Sequence, residues 1–121
     1  MDLEFARRFA TQWRDDWNSH DIDRILARYH DDVTFSSPMV SRCYGDPSGT
    51  VRGKDALRAY WTEGLRRIPD LHFEVLDIRV GVDALVIDYR NQIGDRVYEV
   101  LTFRDGLVIA GFGAYGATLA H

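Results

Sequence analysis

Glu99 sits in a run of strand-forming residues, Val97-Tyr98-Glu99-Val100-Leu101-Thr102-Phe103. Alternation puts it on one face with Val97, Leu101 and Phe103. A carboxylate among apolar neighbours is seldom fully buried unless paired, so Glu99 is either a hydrogen-bonded structural anchor or part of a cavity wall. In a cavity, desolvation would raise its pKa and fit it for proton transfer near neutral pH. Groups able to surround it are plentiful: Trp13, Trp17, Tyr29, Tyr60, Trp61, Tyr89 and Tyr115 are large rings with polar handles that need partners when buried. His30 or one of the tyrosines is the candidate counterpart in an acid–base pair.

Other chemistries find no support in the spacing. Gly111-Phe112-Gly113-Ala114-Tyr115-Gly116 spells G-x-G-x-x-G, but only five residues follow it, so no helix can open there to hold a pyrophosphate. Gly111 and Gly113 instead leave two adjacent same-face strand positions without side chains, a mark of a bulge or of close approach by another group. His20, His30, His72 and His121 show no ligand-type spacing, and Cys43 has neither a partner cysteine nor a recognisable base. Neither a metal nor a cofactor is expected.

These residues need elements to position them. Phe5, Phe9, Trp13 and Trp17 recur every fourth residue and line one face of a first helix. A second helix starts at Asp21, with Ile22, Ile25, Leu26 and Tyr29 at helical spacing, and Val33–Ser37 is a short strand stopped by Pro38. Residues 39–52 are rich in turn formers and read as a mobile loop or lid. From Lys54, Leu57, Tyr60, Trp61, Leu65 and Ile68 make a third amphipathic helix that ends at Pro69. Four extended segments follow, at 71–80, 84–93, 96–104 and 107–116, with turns at Val82-Asp83, Gly94-Asp95 and Asp105-Gly106. Helices followed by a meander predict an α+β domain in which helices cover one face of a curved antiparallel sheet.

The 121 residues fit one domain, 1–121, and a chain this long buries enough surface to dispense with disulfides. Fifteen Lys and Arg against nineteen Asp and Glu give a net charge of −4 without a basic run, which argues against nucleic acid as a partner. No apolar stretch is long enough for a membrane span, and the expectation is a soluble, cytoplasmic protein.

Four stretches carry a family resemblance: Trp17-Asn18-Ser19-His20-Asp21-Ile22-Asp23, Tyr29-His30-Asp31-Asp32-Val33-Thr34-Phe35-Ser36-Ser37-Pro38, Gly53-Lys54-Asp55-Ala56-Leu57 and Phe103-Arg104-Asp105-Gly106. Together they resemble the SnoaL-like branch of the nuclear-transport-factor-2-like superfamily, in order and over nearly the whole chain. The resemblance implies a cone, a cystatin-like roll in which a strongly bent sheet wraps three N-terminal helices around a deep apolar pocket. The superfamily spans isomerases, cyclases, dehydratases, hydrolases and non-enzymatic modules, so fold does not settle function. Against ketosteroid isomerase, the base position falls at Ser37, which cannot serve as a base, the oxyanion tyrosine falls at Trp13, and the protonated acid falls at Glu99. Pocket-wall positions fall at Trp17, Tyr29, Tyr60, Trp61, Gly111, Gly113 and Tyr115. The ketosteroid isomerase mechanism is therefore not expected.

Two readings follow. One is a cofactor-free acid–base enzyme, of isomerase, cyclase or hydratase/hydrolase type, acting on a small apolar, aromatic or polycyclic molecule through Glu99. The other is a non-catalytic binding or dimerisation module of the same fold. Tyr98, Val100 and Val86 among Asp88 and Arg90 on the outer sheet face suggest a homodimer, which is also the family habit.

Overall fold

A computed structural model describes residues 1–116 of the chain. Helix α1 spans Leu3–Ser19, capped by Asp2, whose carboxylate accepts from Glu4 N at 2.9 Å. It ends at His20, which takes a left-handed conformation (φ 61°) and donates its N–H back to Trp17 O. The short α2, Ile22–Leu26, is capped by Asp21, which accepts from the N–H groups of Asp23 and Arg24. Strand β1 already begins at Tyr29 and runs to Ser36. Tyr29 is thus a strand residue and not the last of the second helix, although its ring faces inward as its helical spacing suggested.

The segment read as a loop is largely structured. Helix α3 (Pro38–Tyr44) and strand β2 (Thr50–Arg52) occupy most of 39–52. Ser37 caps α3 with its hydroxyl, 3.2 Å from Met39 N, and Pro38 takes the first helical position, where its missing N–H is no loss. Helix α4 (Lys54–Arg67) completes the helical set, four helices in place of the expected three. Strands β3 (Glu74–Val80), β4 (Ala84–Arg90), β5 (Arg96–Arg104) and β6 (Leu107–Tyr115) follow in the expected meander. Asp105 and Gly106, both at positive φ, form the tight β5–β6 turn.

The six strands lie in the order β2-β1-β6-β5-β4-β3, in one bent, unclosed sheet. The α+β fold class is as read, with one difference in pairing: β1 joins β6 in parallel, the other neighbours being antiparallel. Residues Leu85, Ile87 and Tyr89 of β4 and Val97, Glu99 and Leu101 of β5 all point into the core, as alternation predicted. In β6 the alternation breaks. Phe103 pairs with Val108 but Thr102 with Ala110, so Ile109 is an extra residue, and this bulge turns Val108 into the core on the same face as Gly111.

Helix α1 is tied to the sheet by side chains as well as by packing. The Asn18 amide donates to Phe73 O at 3.0 Å and accepts from Phe73 N at 2.8 Å, and His20 Nε2 lies 2.7 Å from Leu71 O. Asn18 stands in for a strand edge, satisfying backbone groups just before β3 begins. Asp16, almost fully buried, receives Gln12 Nε2 and Arg28 Nε, both at 3.0 Å, and pairs with Arg24. No helix among the described residues is long and apolar enough to cross a membrane.

Asn18→Ala should remove both bonds to Phe73 and leave a partly buried N–H and C=O unpaired, a loss of about 1–3 kcal/mol in chemical denaturation. An unchanged denaturation midpoint would show that water replaces the amide without cost.

Candidate functional site

The largest rings of the chain meet at one end of the sheet. Trp13 of α1 stacks on Phe73 (centroids 5.4 Å, 18°) and meets Tyr89 of β4 edge-on at 5.1 Å. Trp17 meets Trp61 of α4 edge-on at 4.8 Å, and Trp61 in turn contacts Tyr29 and Phe35 of β1. Rings this bulky keep α1 and α4 away from the sheet, and a cavity of about 280 Å³ remains among them.

Of the residues singled out in the sequence, Trp13, Trp17, Ser37, Tyr60, Trp61, Tyr89, Glu99, Gly113 and Tyr115 line this cavity. Three do not. His30 is the next residue along β1 from inward-facing Tyr29, and its Nδ1 accepts from Asp32 N at 3.0 Å. Strand alternation carries it out of the pocket, so it is no counterpart to Glu99. Tyr29 is wholly buried behind the wall, beneath Trp61. Gly111 serves packing: a Cβ there would come within 2.9 Å of Leu101 Cδ2 and 3.5 Å of Phe35 Cδ1.

The wall also contains Met39, Cys43 and Tyr44 of α3, which fall within the 39–52 segment read as a lid, and residues that the sequence did not mark: Asn91 and Gln92 from the β4–β5 turn, and Glu63 and Arg67 from the last turns of α4. The Ser37-Pro38 pair is a helix-start signal that could have revealed α3. Nothing local marks Asn91 or Gln92, which reach the cavity only because the sheet bends.

Glu99 is 5 % exposed, and burial pushes its carboxyl up to about 8. Burial accounts for the shift, and no side-chain hydrogen bond to the carboxyl is found among the described residues. Directly across the β5–β6 ladder stands Gly113, where a Cβ would lie 3.4 Å from Glu99 Oε1 and 4.0 Å from Ser37 Oγ. The missing side chain leaves the space in which the carboxyl sits. The hydroxyls of Tyr29 and Tyr89 are pushed well above the usual phenol range by burial and then by the Glu99 charge. Tyr60 and Tyr115 are raised too, again mainly by burial. At neutral pH the site therefore holds neutral acids: a protonated Glu99 and undissociated phenols. Trp13 Nε1, Trp17 Nε1 and Tyr29 Oη are buried without a hydrogen-bond partner among the described residues.

At the mouth, Glu63 is held down to about 2 by hydrogen bonds from Arg66 and Arg67. Arg66 closes a two-bond fork on it (Nη2–Oε1 2.6 Å, Nε–Oε2 3.0 Å), and Arg67 Nε adds a third bond at 2.8 Å. Among the described residues no group of three or more His, Cys, Asp or Glu could hold a metal ion, and His121 lies outside them.

The model of the SnoaL-like domain family matches residues 10–110. A SnoaL-like protein of Burkholderia thailandensis E264 is 44 % identical, with a TM-score of 0.93 over 96 % of this chain and 98 % of that one. A Methylobium petroleophilum PM1 protein with a cystatin-like fold is 14 % identical, with a TM-score of 0.76 over 99 % of this chain and 81 % of that one. A putative polyketide cyclase of Sinorhizobium meliloti is 13 % identical, with a TM-score of 0.72 over 88 % and 94 %. No curated protein matches the chain.

Burial of Glu99 has a sign that denaturation can read. Its folded pKa lies above the unfolded one, so its neutral form favours folding and its ionisation opposes it. Stability should be complete below about pH 4.5 as far as this group is concerned, fall as pH rises from there to about 8, and then level off. Glu99→Gln should flatten that decline. A carboxyl-selective NMR titration placing Glu99 at or below 4.5 would contradict the desolvated acid.

Proposed function

The chain belongs to the SnoaL-like family, and on that premise we propose that it binds a small apolar or aromatic molecule in the ring-lined cavity and performs cofactor-free acid–base chemistry on it with Glu99. The observation that carries this reading is a buried carboxyl without a hydrogen-bond partner in the wall of a cavity otherwise built from rings. A carboxyl used only as a structural anchor would be hydrogen-bonded, because an unpaired buried polar group costs stability. A putative polyketide cyclase shares the fold, which supports a small-molecule pocket of this kind.

In the proposed step, neutral Glu99 donates its hydrogen to a carbonyl oxygen of the bound molecule. That bond strengthens as negative charge gathers on the oxygen, so it favours the transition state over the ground state. The adjacent carbon becomes more acidic and gives its proton to a water molecule or buffer base at the open mouth, leaving the enolate oxygen hydrogen-bonded to Glu99. Ser37 cannot take that proton; its hydroxyl lines the cavity and accepts from Met39 N. This engagement of the position that would hold a base favours a second reading, a binding module without turnover.

A small bicyclic ketone, 2-tetralone, separates the two. The protein should accelerate exchange of its α-hydrogens in D2O, followed by proton NMR, and Glu99→Gln should lower that acceleration by about a hundredfold while keeping the shape of the site. Exchange no faster than in buffer, with binding retained, would leave the binding module.

The outer sheet face supports a homodimer as part of the same proposal. Tyr98 and Phe112 are exposed there beside Val86 and Val100, and Asp88 is fixed by a two-bond pair with Arg96. Such a mixed apolar and paired-charge face suits a two-fold interface. Light scattering at micromolar concentration should give twice the 13.9 kDa chain mass, and a monomer mass would remove the dimer.

A further inference from the structure

The cavity has unlike ends. Its depth holds a neutral acid and rings, and its mouth holds the pair of consecutive arginines that close α4. Glu63 is already matched by the two-bond fork from Arg66, which satisfies both of its oxygens and balances its charge. Arg67 lends the same carboxylate only its Nε, and its Nη1 points instead at the thiol of Cys43, 3.9 Å away on the opposite lip. Of these two arginines it is Arg67 that lines the cavity, so one positive charge stands at the mouth unbalanced by Glu63. The rest of the rim, Asn91 and Gln92, is neutral. A local cation on a chain of net charge −4 is not a by-product of overall composition.

We infer that the bound molecule is a one- or two-ring compound carrying a carboxylate, and that Arg67 binds that carboxylate at the mouth while the rings enter the aromatic wall. The inference rests on the pocket reading above and adds the chemical class of the ligand. Size limits the ring system: about 280 Å³ lies at the small end of ligand cavities, which run to roughly 1,000 Å³. Placement follows from solvation. A carboxylate carried to the depth of the cavity would lose its water next to Glu99, whereas at the half-exposed mouth it stays hydrated and meets a planar guanidinium able to hold it with two parallel bonds. An ammonium group fits less well, because the Glu63 carboxylate is already taken by Arg66 and Arg67 and an ionised Glu99 is disfavoured by burial.

A charge series on one ring system tests this: 1-naphthylacetate, its primary amide and 1-naphthylmethylamine, each titrated into the 15N-labelled full chain at pH 7. The three tryptophans of the chain, Trp13, Trp17 and Trp61, all line the cavity, so their indole N–H signals report binding at this site. The acid should bind about fivefold more tightly than the amide, the amine most weakly, and Arg67→Gln should erase the preference for the acid while the amide affinity holds. Arg66→Gln, which leaves Glu63 to Arg67 alone, should weaken the preference for the acid without reversing it. Equal affinity for acid and amide, tighter binding of the amine, or a preference that survives Arg67→Gln would overturn the inference while leaving the pocket reading intact. Indole signals unmoved by all three probes would overturn both.

Discussion

The row of rings on α1 is the constraint that the rest of the molecule accommodates. Phe9 meets Phe103 edge-on at 4.9 Å, Trp13 packs on Phe73 and Tyr89, and Trp17 packs on Trp61. Along one helix face the side chains thus grow from phenyl to indole. Rings prefer edge-to-face and offset contacts over tight interdigitation, so two sides of a core built from them cannot close on each other as leucines and valines do. At the phenylalanine end the packing does close, Phe5 and Phe9 both meeting Phe103 edge-on. At the tryptophan end it leaves the cavity. Pocket and core are therefore two outcomes of one ridge.

Into that gap the sheet presents Glu99, and the β5–β6 ladder supplies the other half of the arrangement. Across from Glu99, a Cβ at Gly113 would touch the carboxyl at 3.4 Å, an ordinary contact, and a side chain longer than a methyl would crowd it. Burial strips water from the group and makes its charge costly, so the carboxyl stays protonated. The same neighbours that deny it water, Tyr29 and Tyr89 among them, are themselves kept undissociated. The result is a wall that donates hydrogen bonds and carries no charge, and its natural counterpart is an acceptor such as a carbonyl oxygen. The proposed chemistry follows from this polarity as much as from membership of a family whose fold serves many activities.

Much of this was legible in the residues. The period of four in Phe5, Phe9, Trp13 and Trp17 marks a helix with a ring face, and alternation in β4 and β5 puts Leu85, Ile87, Tyr89, Val97, Glu99 and Leu101 together, because both are local repeats dictated by backbone geometry. Failures came where a tertiary partner decided the outcome. Tyr29 satisfies a helical template and a strand template alike, and pairing with β6 selects the strand. Ile109 carries no mark of a bulge; the slip belongs to the β5–β6 register. His30 looked like a partner for Glu99 on type alone, yet a one-residue step along a strand reverses the side chain's face. Residues 39–52 read as loop because helix α3 is too short to show a period, although Ser37-Pro38 announces its start.

The short α3 shows why the pocket is deeper than a sheet and two long helices could make it. Its capping residue, Ser37, lines the cavity next to Gly113, and its far end brings Cys43 and Tyr44 to the lip, where Tyr44 meets Tyr60 of α4 at 5.6 Å. The backbone at that turn is held from both sides: Ser37 N donates to Gly49 O at 2.9 Å, and Gly49 itself sits at positive φ with no room for a Cβ, which would fall 2.8 Å from Ser41 Oγ. A serine fits this turn because one hydroxyl can cap a helix and still face a cavity. The side chain that replaces the expected base thus has a structural duty that an aspartate could share, since aspartate caps helices equally well. What the chain lacks at Ser37 is therefore charge and not shape. With no carboxylate there to repel Glu99 or an incoming anion, the depth of the pocket stays neutral, and the charge that selects a ligand is left to the mouth.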